Sequence, residues 1–236
     1  MPFGDSIGMD WAWAIPALSA SAFFLTLGLG RFLPREGRFI PIAAITVGFV
    51  LFWYVLLDLL DTGPVSYGFN WVVIGDTTIT WGVMVDELSV TMLGLVAFVA
   101  MLTQVYSLGY MKHEPRQVWY FALHGLFAGA MLALVLADSL LFLYMAWELV
   151  GLCSYLLIGL RYERRSAAEA AKKAFITTRL GDVGLLVGII LLYRATGTFE
   201  ISTILHAVPN GLESGVISQT TVNMATSLIL LGAMAK

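Results

Sequence analysis

Glu148 stands alone in an apolar run, Ser139 to Leu160, that is long enough to cross a membrane. Arg179 and Asp182 interrupt the next apolar segment, His124 lies in the one before, and Lys236 falls within a last apolar stretch. A charge at mid-bilayer costs about 2.5–3.5 kcal/mol even on lenient insertion scales, so such residues face a partner or a wet cavity and mark ion or proton paths. The chemistry these side chains point to is proton transfer. Desolvation disfavours the charged form of both an acid and an amine, and an opposite charge restores it. A glutamate and a lysine that meet in lipid are both ionised. Drawn apart, the lysine tends to release a proton and the glutamate to take one. Arginine stays charged and serves as a fixed counter-ion.

Spacing decides which of these groups can meet. Glu148 is nine residues from Ser139, about 13–14 Å deep at the rise of an α-helix. Asp182 is ten residues beyond Lys172, about 15 Å from the opposite surface, so the two acids reach one level. Lys236 is fourteen residues beyond Val222 and also lies within the hydrocarbon. Arg179 and Asp182 are i and i+3 on one helix face and can pair; Arg179 can instead reach Glu148 on the adjacent helix. Each has a plainer reading. Glu148 with Arg179, or Arg179 with Asp182, can be structural pairs whose charges merely compensate. Lys236 can be a snorkelling side chain, and His124 a buried, satisfied histidine rather than a proton carrier. Trp53, Trp71, Trp81, Trp119 and Trp147 read as interfacial or packing aromatics. Gly125, Gly129, Gly151 and Gly159 read as places of close helix contact.

Composition says what must hold these groups. The chain is 59% apolar and 12% charged, with a mean hydropathy of +0.84; soluble domains run about 45–50% and about 25%. The fold expected is all-α, a polytopic membrane helical bundle within a single membrane domain. Spans of about 20 residues are expected at 11–30, 39–57, 88–111, 118–137, 139–160, 174–193 and 222–236. The last would rise only about 22 Å against a bilayer core of about 30 Å, so the chain is expected to be part of something longer. Asp5 and Asp10 precede the first run where a signal peptide would be basic, so that run is expected to be a retained span. The fourth and fifth spans meet at Asp138 as a tight antiparallel hairpin. Tyr67 to Val85, broken at Gly75-Asp76, reads as a small β-hairpin outside the membrane. The polar connection 198–221 has room for a short surface helix at Ile201–Ala207.

Ten basic residues fall on alternate connections: Arg31, Arg35 and Arg38; Lys112 and Arg116; Arg161, Arg164, Arg165, Lys172 and Lys173. The other side has Arg194 and ten acids, among them Asp58, Asp61, Asp76, Asp138 and Glu200. The positive-inside rule then puts the N-terminus, the β-hairpin and Asp138 outside. The single cysteine, Cys153, excludes a disulfide within the chain, and no CxxC or His/Cys cluster marks a haem, iron–sulfur or zinc site. A net charge of −3 carries no sign of nucleic-acid binding, and lipid is the expected surroundings.

The run Ala137 to Leu160, with Tyr144-Met-Ala-Trp-Glu148-Leu-Val-Gly at its heart, closely resembles the large antiporter-like subunit of proton-pumping NADH:quinone oxidoreductase, respiratory complex I (the NuoL type). So do Lys173-Ala-Phe-Ile-Thr-Thr-Arg-Leu-Gly-Asp-Val-Gly184, Asp86-Glu-Leu-Ser-Val-Thr-Met-Leu93 and Ser107-Leu-Gly-Tyr-Met111. The resemblance is specific from Asp86 onward and loose before it. It implies that Glu148 is the family's fifth-helix glutamate, and that Gly232-Ala-Met-Ala-Lys236 leads to the lysine that pairs with it. It implies that Arg179 and Asp182 are the family's charged positions on the sixth helix. It implies no cofactor in this chain, with NADH, FMN, iron–sulfur clusters and quinone in partner subunits, and a neighbouring antiporter-like subunit alongside. The bacterial cell membrane is the expected location, with the mitochondrial inner or thylakoid membrane as the alternative. Two other readings stand beside it: the large subunit of a multi-subunit Na+/H+ antiporter, which shares a Trp-Glu motif, and a passive membrane scaffold.

Overall fold

The computed structural model describes residues 11–33, 37–74 and 77–236. Asp5, Asp10, Arg35, Gly75 and Asp76, used above to read topology, lie outside the described residues. Among those described, the chain forms eight α-helices and one two-stranded sheet: α1 Ala14–Leu29, α2 Phe39–Thr62, β1 Val65–Ile74, β2 Thr77–Val85, α3 Glu87–Tyr110, α4 Gln117–Val135, α5 Leu140–Ile158, α6 Arg165–Thr196, α7 Ile201–Glu213 and α8 Gln219–Ala235. Five helices are long and apolar enough to span a membrane: α2, α3, α4, α5 with the 3-10 turn to Arg161, and α6.

Local sequence sets the helix ends. Pro16 and Pro41 are each the third residue of a helix, where the missing N–H has no intrahelical carbonyl to meet. Asp86 caps α3: its carboxylate accepts from the Ser89 N–H at 2.7 Å, and the Ser89 hydroxyl accepts from the Asp86 N–H at 2.8 Å. Ser139 caps α5 through Phe142.

Several elements depart from the expected boundaries. The first expected span is an apolar helix of 16 residues and the last a helix of 17 with a polar first turn, about 24–26 Å long. The helix α6 starts at Arg165, nine residues before the expected 174. Hydropathy sees only its apolar part, but Ser166-Ala-Ala-Glu-Ala-Ala-Lys-Lys is made mostly of strong helix formers and continues the helix beyond it. The surface helix runs past Ala207 and through Pro209 to Glu213.

Antiparallel pairing of β1 with β2 runs from Val65↔Val85 to Ile74↔Thr77, with a bulge between Asn70 and Val72. This hairpin sits on the α4–α5 corner. The Met84 N–H donates to the Leu136 carbonyl at 2.9 Å, and the Gly82 N–H donates to Asp138 Oδ1 at 3.1 Å. The same corner holds the α6–α7 connection, through Leu140 N–H to the Phe199 carbonyl and Ile201 N–H to the Asp138 carbonyl, each 2.9 Å. At the other end, Arg161 pairs with Glu114 and Arg116 with Glu163, while Arg116 Nη1 donates to the Leu160 carbonyl at 2.7 Å. The molecule therefore has an acidic end carrying the hairpin and a basic end carrying the α3–α4 and α5–α6 connections.

The buried apolar core lies among α1, α2, α3 and α4, around Ile15, Ile45, Val55, Leu93 and Leu132. α1 approaches α4 at Gly129, where a Cβ would come within 2.7 Å of the Ala20 nitrogen. Small residues permit such approach in lipid, where packing rather than water drives helix association.

Candidate functional site

The helices α5, α6 and α8 bring four of the five chemistry-bearing residues together. Glu148 is the ninth residue of α5, and its carboxylate forms an ion pair with Arg179 of α6. Arg179 Nη1 also lies 3.5 Å from Asp182 Oδ2, and Nη2 reaches the Glu148 carbonyl at 3.4 Å. Both alternatives drawn from spacing hold at once: the guanidinium bridges the two acids. Its planar set of five donors is suited to that. Phe175, one turn earlier on α6, lies 4.5 Å beneath it.

Asp182 is 2% exposed, against 24% for the Glu148 side chain and 30% for Arg179. Its Oδ1 accepts a hydrogen bond from the Trp147 indole at 2.7 Å. Lys236 Nζ donates to the Trp147 carbonyl at 2.9 Å and lies 5.0 Å from the centre of its ring. Glu148 and Asp182 balance Arg179 and Lys236, so the formal charge of the group is zero.

The geometry changes three readings. The expected Glu148–Lys236 contact is not the one made: no Lys236 ion pair within 4.0 Å occurs among the described residues. Trp147 is not simply a packing aromatic; its N–H and its carbonyl tie Asp182 to Lys236. Only half of the signal was available: an indole N–H that leaves water needs an acceptor, but the one it finds, Asp182, is 35 residues away in sequence. Gly151 does more than let helices approach. It leaves the space occupied by the Lys236 ammonium, since a Cβ there would lie 2.7 Å from Nζ.

His124 stands apart from this group. It faces α3, with Nδ1 3.2 Å from Gln104 Nε2.

The arrangement can do one thing well. Glu148 and Lys236 flank Trp147, each held by a different partner. Release of Glu148 by Arg179 and a swing of the lysine would exchange one cation for the other. In the interval between the two, no cation faces the carboxylate, and its hold on a proton rises.

Family models match two stretches of this chain. "NADH:quinone oxidoreductase/Mrp antiporter, TM" covers residues 137–236 and so contains all four clustered charges. "NADH-Ubiquinone oxidoreductase (complex I), chain 5 N-terminus" covers residues 71–121. Among curated relatives, NAD(P)H-quinone oxidoreductase subunit 5 of the Paulinella chromatophora organellar chromatophore is 39% identical over 97% of this chain and 35% of its own length. F(420)H(2) dehydrogenase subunit L of Methanosarcina mazei is 45% identical over 81% of this chain and 29% of its own. The chain thus spans about a third of the length of the curated relatives it matches. A solved structure of the Mrp complex from Dietzia sp. DQ12-45-1b superposes with a TM-score of 0.75 at 24% identity, over 97% of this chain and 23% of that one; that likeness concerns the fold.

Proposed function

We infer that this chain, which belongs to the NADH:quinone oxidoreductase/Mrp antiporter membrane family, acts as a proton-translocating subunit of a respiratory oxidoreductase. The observation that carries this reading is the Trp147-centred group, in which Glu148 and a lysine lie on either side of one tryptophan without touching. Oxidation of NADH and reduction of quinone take place in partner subunits, which hold the FMN and iron–sulfur clusters. One cysteine and no ligand motif in this chain support that division. The relatives also support it: their names carry NAD(P)H in one case and F(420)H(2) in the other. The electron donor is then a property of the partners.

Energy from the redox subunits reaches this chain as a change of conformation or field. While Arg179 lets go and Lys236 is still on the Trp147 carbonyl, Glu148 has no counter-charge in a medium of low dielectric and takes a proton from water. When Lys236 swings to it, the charged form is favoured again and the proton leaves toward the acidic end. Asp182, fixed by Trp147, keeps Arg179 from drifting away. The partners are other membrane subunits, above all a neighbouring antiporter-like subunit. In this reading the chain sits in the bacterial cell membrane with its N-terminus and hairpin outside, an orientation that the basic end supports.

The test is Glu148→Gln in the full-length subunit within its complex. Quinone reduction continues and the proton-to-electron ratio falls; an unchanged ratio contradicts the reading. The second reading, a Na+/H+ antiporter subunit, draws on the fold shared with the Mrp complex. A sodium gradient that moves protons in proteoliposomes without NADH would favour it, and NADH-driven pumping without a sodium requirement favours the first.

A further inference from the structure

A second stripe of polar side chains runs along the α3–α4 seam from the basic end, apart from the Glu148 group. Gln104 is fully buried. One end of its amide meets His124 Nδ1 at 3.2 Å. The other end, Oε1, is buried and has no hydrogen-bond partner among the described residues. Turning the amide over exchanges the two ends and leaves Nε2 orphaned instead. One turn nearer the basic end, the Ser107 and Tyr120 hydroxyls lie 2.8 Å apart, and the Tyr120 and His124 rings are 5.9 Å apart. Gln117, the first residue of α4, has a buried Oε1 that is likewise without a partner.

Gln117, Tyr120 and His124 recur at helical spacing on one face of α4, and Gln104 and Ser107 do so on α3. The stripe runs about 10 Å along the seam, with an orphaned amide oxygen at each end. Buried polar groups without protein partners are commonly satisfied by water, and a water needs several polar atoms around it. The stripe supplies them.

We propose that the α3–α4 seam is a hydrated proton-uptake site, with His124 at its closed end taking protons from the basic end and passing them toward Glu148. The passage toward Glu148 rests on the proton-translocation reading; the water does not. The position fits. From the corner at Asp138, His124 is fourteen residues back and Glu148 ten residues forward, which puts His124 about 6 Å nearer the basic end. Among the described residues no carboxylate lies within 4.0 Å of His124 to hold it permanently charged.

Gln104 suits both protonation states. Its Nε2 donates to the neutral ring at Nδ1, whose proton is then on Nε2 of the imidazole. After the ring takes a second proton at Nδ1, a turned amide accepts it at Oε1. Water gives the proton at one nitrogen and receives one from the other, so only N–H and O–H bonds change.

The test uses the full-length subunit in its complex, in sealed vesicles, with Cys153→Ala to remove the chain's one cysteine. Ser107→Cys, nearly isosteric, and Gln104→Cys report from the seam. Val105→Cys, 49% exposed on the outer surface of α3, is the control. A small cationic thiol reagent added at the basic end should modify the seam cysteines at least roughly tenfold faster than the control, the effect of about one pKa unit on thiolate content. Equal, slow modification overturns the hydrated seam. His124→Gln should lower the proton-to-electron ratio while quinone reduction continues, and full pumping in that variant overturns its role in uptake. Full pumping in Glu148→Gln instead defeats the relay reading, while the labelling still decides the seam.

Discussion

Glu148, Arg179 and Asp182 were legible as a group because a charge in an apolar run has few places to go, and helical rise alone set two of them at one depth. What spacing left open was which partner each would choose. Arg179 takes both acids, and Lys236 takes a backbone carbonyl. Trp147 was misread because an indole is mostly hydrocarbon and its one donor carries no weight in a hydropathy profile. It is the residue whose loss should be most informative. Trp147→Phe keeps a ring beside Lys236 but strips Asp182 Oδ1 of its donor. A hydrogen bond to a charged group contributes about 1.5–3 kcal/mol. The variant should lower both the thermal stability of the subunit and its proton-to-electron ratio. If both stay at wild-type values in melting and pumping assays, Trp147 is packing after all.

Elements were legible where the sequence changes period or carries a cap. The alternation from Tyr67 to Val85 marked the hairpin, and strand β1 merely begins two residues earlier, at Val65. The start of α6 was not legible, since a solvated Ala-, Glu- and Lys-rich turn looks like a loop to hydropathy. The corner at Asp138 was legible, but its docking was not: the carboxylate meets the hairpin from 56 residues away. Burial pushes that carboxyl above its ordinary range and Glu200 adds to the effect, while the Gly82 N–H opposes both. A carboxyl raised in the fold contributes stability below its unfolded pKa, and loses it as pH rises through the folded value. Asp138→Asn keeps an acceptor for Gly82 and removes the titration. It should melt no lower than wild type at neutral pH, with a flatter pH dependence. Asp138→Ala leaves the Gly82 N–H without an acceptor and should cost about 1–3 kcal/mol. Equal melting of the two variants would show that the Gly82 contact contributes nothing.

At the scale of the whole molecule, the two-ended character follows from which connections touch. Hairpin, α4–α5 corner and α6–α7 connection bond to one another at one end, and the α3–α4 and α5–α6 connections at the other. Basic residues told the same story in advance, because each crossing exchanges one end for the other. Asp61→Cys and Lys112→Cys should accordingly react with an impermeant reagent from opposite faces of a sealed membrane, and reaction from a single face would contradict the bundle's course. Inside it, the proposed site holds four charges that sum to zero, and the proposal is that it moves a proton when those charges change partners. Infrared difference spectra of the intact complex, recorded with and without turnover, address that claim most directly. The account predicts that a protonated-carboxyl band changes on turnover and vanishes from the difference spectrum in Glu148→Gln; identical spectra for wild type and variant would show that this carboxylate never gains or loses its proton.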